Sequence, residues 1–393
     1  MTKQNTVCYL FNPTIIMNKL CLFAFLLFII ACQDDNYHFP PIENHKNLKI
    51  DSLDFEKIEL DVKDYECSYY GYSYISGNQI NFVDKYLCQL FTFSADGQIL
   101  SRNLGSGKGP KEVACTQISA ISKLSNGELL ILGYSLDHYF FSENLERTDA
   151  FWLSNNENTN KFEKSDTYTT FYPNLDIKNF GNYLYYNVYS ESDHFNFIDT
   201  PQKYYENGKN LMQVNRKNGK IEKLLGNYPP FYRQNIGLYN AFPSLNYDLD
   251  SQGNLYLAYE ADSTIYKYSA AFNPIKAFGY QGKDMNTHYK RIENWNECST
   301  LMQQERSDEG FYTSLFYSPA DHIIFRSYQK GIPSNTDGLL VYQNDTLIGN
   351  LSAPKHIKIG GYIAPYYYST IITDAENDNM YVYRFRLPQY SIH

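Results

Sequence analysis

Tryptophan is scarce in this chain, with 2 residues among 393. No apolar run reaches the roughly 20 residues that a membrane-spanning helix needs. The longest, residues 20–31, stops at twelve. There is no Gly-x-Ser-x-Gly elbow, no His-x-His, no His-Glu-x-x-His and no Cys-x-x-Cys. Local signatures of an esterase nucleophile, a zinc site and a dithiol redox centre are therefore missing. Positive charge is also in deficit, with 34 Lys and Arg against 43 Asp and Glu, a net charge of −9. An acidic balance argues against nucleic acid as a partner and against broad contact with anionic lipid.

What is present begins at the N-terminus. Met17 opens a segment with one cation, Lys19, then the apolar run 20–31, then Cys32 followed by Gln33, Asp34 and Asp35. The length, the flanking charge and the small residue Ala31 fit a secretory signal. Ile29-Ile30-Ala31-Cys32 resembles the lipobox of bacterial lipoproteins, which implies cleavage before Cys32 and lipidation of its thiol. Met17 then reads as the true start, residues 1–31 as signal and residues 32–46 as a tether with Pro40 and Pro41. Gln33-Asp34-Asp35 resembles the acidic export tag of surface lipoproteins of the Bacteroidetes. The implied location is the outer membrane, at the cell surface or else on the periplasmic face, held by lipid at Cys32. Residues 1–31 hold two lysines and no acid, so the remainder carries −9 − 2 = −11.

Tyrosine is the surplus, at 39 residues, with 25 phenylalanines. Both favour strands, where rings pack across a pleated surface. Four cysteines remain after the signal and Cys32 are set aside: Cys67, Cys88, Cys115 and Cys298. Their spacing pairs none of them, and free, buried thiols are expected.

A unit recurs along the body. A polar turn leads into a short β run at 77–83, 126–132, 181–188, 254–259, 320–326 and 378–384. Further runs follow, as in the clearest copy, residues 245–279. Six anchors at intervals of roughly 50–70 residues, with about four strands each, predict an all-β, six-bladed propeller over 47–393. Few residues follow the last anchor, so strands at 48–50 and 57–62 are expected to complete the last blade. Tyr289, Ile292, Trp295, Cys298 and Met302 recur at helical spacing and predict a short helical insertion near 287–306.

The segment 93–112, with Asp96-Gly97 and Gly105-Ser106-Gly107-Lys108-Gly109-Pro110-Lys111-Glu112, resembles the six-bladed propeller lipoproteins of the Bacteroidetes. The resemblance implies an NHL- or TolB-like propeller and supplies no catalytic residue. Gly105–Pro110 lacks phosphate-loop spacing and reads as a turn between blades. Asp248, Asp250 and Gly253 lack the twelfth-position Glu of a calcium loop and read as a β-turn. No metal and no cofactor are expected.

The long connections are 189–210, 227–242, 280–311 and 353–367. Propeller topology opens them on one face, and binding residues concentrate on loops held by a rigid scaffold. Tyr232, Arg233, Trp295 and Tyr366 are the candidate ligand contacts, with Trp295 divided between packing and contact. The function expected is a monomeric, non-catalytic binding or scaffold module for a protein or glycan partner. The alternative is a propeller hydrolase or lyase acting on glycans or lactones through a metal at the channel mouth.

Overall fold

Short apolar runs separated by Asn, Asp and Gly turns form antiparallel hairpins, because the turn supplies the backbone reversal and the alternating side chains supply two packing faces. The structure, a computed structural model, describes residues 39–154, 168–170, 175–190, 192, 194–292 and 295–388, apart from the side chains of Trp295 and Glu297. The expected signal and Cys32 lie outside the described residues.

Two strands precede the first blade, β1 (His45–Ile50) and β2 (Glu56–Glu59). Blade 1 is β3 (Gly71–Ser76), β4 (Gln79–Asp84), β5 (Gln89–Ser94) and β6 (Ile99–Leu104). Blade 2 is β7 (Ile118–Lys123), β8 (Leu129–Gly133), β9 (Asp137–Phe141) and β10 (Arg147–Trp152). In blade 3 the inner position is shared by β11 (Tyr168–Thr170) and β12 (Ile177–Phe180). Both pair with β13 (Tyr183–Ser190), which is followed by β14 (Leu211–Asn215) and β15 (Ile221–Leu225). Blade 4 is β16 (Leu245–Leu249), β17 (Leu255–Tyr259), β18 (Thr264–Tyr268) and β19 (Pro274–Gly279). Blade 5 is β20 (Phe311–Ser318), β21 (Ile323–Gln329), β22 (Asp337–Gln343) and β23 (Thr346–Ala353). Blade 6 is β24 (Ile359–Ile363), β25 (Tyr366–Ser369), β26 (Ile372–Asp374) and β27 (Asn379–Phe385), with β2 outermost. The inner strands touch in cyclic order, β3, β7, β12, β16, β20, β24 and back to β3. This is the expected six-bladed propeller.

Closure departs from expectation. The residues 353–367, expected as a loop, contain the end of β23, β24 and the start of β25, so two strands of blade 6 are already supplied by the C-terminal half. Only β2 is borrowed, antiparallel to β27 with Glu56 opposite Arg384. The other N-terminal strand, β1, runs parallel to β23 as a fifth strand of blade 5. Upstream, residues 41–44 lie along blade 4. Ala277 N donates to Pro41 O at 2.7 Å, Glu43 N donates to Ala277 O at 2.7 Å, and Gly279 N donates to Asn44 Oδ1 at 2.9 Å. Residues 41–59 thus cover the outer edges of blades 4, 5 and 6 in turn, satisfying backbone groups that would otherwise template aggregation.

The tyrosine surplus fills the core. The twelve largest fully buried side chains among the described residues are Arg326 and eleven tyrosines. Tyrosine can occupy that volume because its hydroxyl finds a partner when buried. Tyr247 donates to Tyr185 O at 2.6 Å, Tyr205 to Asn240 Oδ1 at 2.7 Å, and Tyr259 to Asn227 O at 2.8 Å. In the turn at 105–113, Val113 N donates to Gly105 O at 2.8 Å and Gly109 N to Glu112 Oε2 at 2.7 Å. The Glu112 carboxylate fills the space beside Gly107, where an added Cβ would stand 2.1 Å from it. Asp250 caps its turn by accepting from the amides of Gln252 and Asn254, both at 2.9 Å, as a β-turn requires. Cys67, Cys88, Cys115 and Cys298 are free thiols.

Candidate functional site

Three connections meet over blade 4 on the face where second-to-third and fourth-to-first strand connections emerge. The first runs from β15 to β16 and carries a short helix, α2 (Pro230–Gln234); an earlier helix, α1 (Pro201–Asn207), lies between β13 and β14. Pro229 and Pro230 start α2, where a missing N–H costs nothing. The second connection joins β17 to β18. The third joins β19 to β20 and carries α3 (Trp295–Asp308). The helix therefore begins later than expected: Tyr289 and Ile292 belong to the extended stretch before it. That stretch is held from the helix side, since His288 N donates to Glu309 Oε2 at 2.8 Å and Lys290 N to Glu305 Oε2 at 2.7 Å. It is held from the other loop by Asn240 Nδ2, which donates to Ile292 O at 2.8 Å.

These connections enclose a cleft of about 350 Å³, within the range of small-molecule sites. Phe231 and Tyr239 form one wall, stacked at 4.5 Å, and Tyr289 meets Tyr239 edge-on at 5.6 Å. Met285, Thr287, His288, Ser263 and Tyr312 also line the cleft. Burial pushes the phenols of Tyr239, Tyr289 and Tyr312 up, and Tyr289 donates to Gly310 O at 2.6 Å while Tyr312 donates to Tyr280 O at 3.3 Å.

Beside Tyr312 lies Arg326, 0% exposed. Its guanidinium stands 3.6 Å from the Tyr312 ring centroid and donates to the carbonyls of Ser263 (2.6 Å), Asp262 (2.5 Å) and Tyr259 (3.0 Å). A buried cation on three carbonyls pins the β17–β18 connection. At the channel side, Arg306 of α3 bonds Glu260 at 2.9 and 2.8 Å and Ala241 O at 2.8 Å. Burial pulls its pKa down, but Glu260 outweighs burial and holds it above the usual value. Between the inner strands of blades 3 and 4, Lys178 Nζ lies 3.2 Å from Asp176 and 3.5 Å from Asp248. Burial opposes its charge, and the two carboxylates outweigh burial and keep it protonated.

The expected contacts separate. Tyr232, expected at the surface, is 1% exposed: its hydroxyl donates to Phe242 O at 2.6 Å and accepts from Ala261 N at 3.1 Å. It therefore supports the cleft from behind, and its neighbour Phe231 lines it. Arg233 is half-buried, donates from Nε to Tyr228 O at 3.0 Å and lies 5.2 Å from the Phe39 ring. Trp295 is the first residue of α3, and its side chain lies outside the described residues. Tyr366 sits beside the first-to-second strand turn of blade 6, on the opposite face, between Arg384 and Arg386 at 4.5 and 4.2 Å. The cleft residues Ser263, Met285 and His288 carry no local signal, because they come from two different connections, and Ser263 is held by Arg326, 63 positions later.

The cleft is suited to binding. Its imidazole is engaged by Asn286 through Nδ1, and among the described residues neither Ser263 nor Thr287 is hydrogen-bonded to it. No group of three His, Cys, Asp or Glu side chains among the described residues lies within reach of a common metal ion.

No family model and no curated protein matches this chain. Among solved structures it is similar to a member of the DUF4221 family from Bacteroides vulgatus ATCC 8482, with a TM-score of 0.63 and 12% identity over 88% of this chain and 99% of that one. It is also similar to a protein of Bacteroides fragilis NCTC 9343 whose name marks it as a candidate for export, with a TM-score of 0.50 and 13% identity over 90% of this chain and 100% of that one. At these identities the likeness is one of fold: the chain has the β-propeller architecture of Bacteroides proteins.

Proposed function

We propose that this protein is an exported, lipid-anchored propeller of the outer membrane that captures a protein or glycan partner in the cleft over blade 4, without catalysing a reaction on it. The observation that carries this reading is the state of the cleft's groups. One wall is aromatic and rigidly backed, and the charged pair behind it, Glu260 with Arg306, is already engaged. Such a site offers contact area with little reorganisation, which favours affinity. The anchor reading rests on residues 19–35. Among the described residues no helix is long and apolar enough to cross a membrane.

The test places a photo-crosslinking amino acid at Thr287, exposed at the cleft, and at Lys217, exposed on the opposite face. Irradiated cells should give an adduct from position 287 alone, and Cys32→Ala should abolish acyl labelling together with membrane retention. Equal adducts from both positions, or none from 287, refute the cleft. Continued acylation of the Cys32 variant refutes the anchor.

A further inference from the structure

Cys88 and Cys115 are 27 positions apart, and the fold brings their sulfurs to 4.0 Å. Cys88 ends the turn between β4 and β5 of blade 1, with its amide on Asp84 O at 3.1 Å. Cys115 lies in the connection from β6 to β7, which enters blade 2, and its carbonyl accepts from Ser106 Oγ at 3.2 Å. Neither residue belongs to a strand. The two differ in access. Cys88 is 0% exposed. Cys115 is half-buried and, with Ser106, Ser135 and Tyr139, lines a second cleft of about 460 Å³. The Cys88 sulfur also lies 3.9 Å from Cys115 O, so the sheltered thiol faces the reachable one. The hydrogen bond between the sulfurs lowers the pKa of Cys115 and raises that of Cys88. The reachable sulfur is therefore the readier thiolate, and the sheltered one keeps its proton. No other two cysteine sulfurs among the described residues come within hydrogen-bond reach, and Cys298 Sγ donates instead to Met302 Sδ at 3.1 Å. An accessible sulfur that reacts first, with a resolving sulfur beside it, is the arrangement of a redox-active pair.

We infer that Cys88 and Cys115 are a reversible dithiol–disulfide pair, oxidised through Cys115 by a small organic disulfide that enters the second cleft. The Cys115 thiolate attacks one sulfur of the oxidant and expels the other as a thiolate, which leaves a mixed disulfide on Cys115. Cys88 then gives its proton to that released thiolate and attacks the Cys115 sulfur, expelling the second half of the oxidant. The second half takes up the proton that Cys115 lost on ionising. The chain is oxidised by two electrons and the oxidant leaves as two thiols. A disulfide holds its sulfurs at about 2.05 Å, so the pair must close by about 2 Å. Side-chain rotation and the two connections share that movement, and no strand ladder has to break. The bond ties the β4–β5 turn of blade 1 to the connection entering blade 2 and fixes the part of the cleft wall that carries Cys115. None of this rests on the cleft over blade 4.

The test exposes the full-length protein in detergent, reduced with dithiothreitol and then freed of it, to oxidised glutathione without denaturant. Peptide mass mapping should find the Cys88 peptide linked to the Cys115 peptide. Cys67 and Cys298 should still be open to iodoacetamide once the oxidised protein is unfolded, and dithiothreitol should return the linked pair to thiols. Cys88→Ser should stop at the mixed disulfide, with glutathione on Cys115, and Cys115→Ser should take up none at Cys88. The inference is overturned if the native wild type gives no linked peptide, if the link forms only in denaturant, if Cys67 or Cys298 is oxidised as fast as Cys115, or if Cys88 takes up glutathione in the Cys115→Ser variant. Should a variant fold poorly, the wild-type map decides alone. A failure here leaves the crosslinking result at Thr287 untouched.

Discussion

Replacing Arg306 by Met should loosen the cleft over blade 4 from its helix side. The guanidinium makes two charge-assisted bonds to Glu260 and one to Ala241 O, and lies 4.4 Å from the Phe311 ring centroid. Methionine keeps much of the packing and removes the charge. Glu260 is 2% exposed, and among the described residues its carboxylate would then keep one hydrogen bond, from the amide of Ser244 at 3.2 Å. Removing one partner of a buried ion pair costs about 3–5 kcal/mol, mostly through the charge left behind. Arg306 is 31% exposed, so the lower end, about 3 kcal/mol, is expected. The double variant Glu260→Gln with Arg306→Met removes the stranded charge and should recover most of that loss, leaving about 1 kcal/mol for the missing bonds. Denaturant unfolding of wild type, both single variants and the double variant measures this as a cycle. Hydrogen exchange supplies the local readout: the amides of His288 and Lys290, held by Glu309 just beyond α3 and by Glu305 within it, should exchange faster in Arg306→Met while those of β5 do not change. A single variant within 1 kcal/mol of wild type, or a double variant worse than the single, would refute the clamp.

Two further outcomes concern protons. His138 is fully buried, donating from Nδ1 to Leu136 O and accepting at Nε2 from Tyr186, both at 2.8 Å, and burial lowers its pKa to about 4. The unfolded chain therefore binds this proton first, so stability should fall as pH drops from about 6.5 towards 4, by roughly 3 kcal/mol in total. His138→Gln should lack that increment, and parallel pH profiles for the two proteins would count against the reading. Among the thiols, the hydrogen bond from Cys88, with the sulfurs 4.0 Å apart, lowers the pKa of Cys115. Burial pushes Cys67 up to about 12 and raises Cys298 as well. Iodoacetamide at pH 8 should label Cys115 first in the native protein, as peptide mass mapping would show, and equal labelling of Cys67 or Cys298 would contradict it.

The blade count was legible because each blade repeats a local event, a polar turn entering a half-buried strand. The turns at Gly77, Asn126, Gly181 and Gly253 announce the second strands of four blades directly. Blade 6 misled for the same reason. Its anchor at 378–384 is the third strand, and β24 and β25 carry glycines and tyrosines that look like a decorated loop. The parallel pairing of β1 with β23 was not legible, since nothing within residues 45–50 says which edge, some 300 positions away, they will meet.

The site divides in the same way. That binding chemistry would gather on long connections followed from propeller topology and loop length, and the residues 227–242 and 280–311 do build the cleft over blade 4. Which aromatic faces the cleft did not follow. Phe231 and Tyr232 are neighbours in one short helix, so they point in different directions, and only packing against Phe242 and Ala261 decides that Tyr232 goes inward. The sequence by itself determined the all-β architecture, the number of blades and the acidic balance, because each depends on composition or on spacing within a few residues. Tertiary structure alone decided how the ring closes, where Arg326 and Arg306 brace the mouth, and which rings remain exposed. Those depend on contacts between residues far apart in the chain, whose free energy appears only once the blades have met.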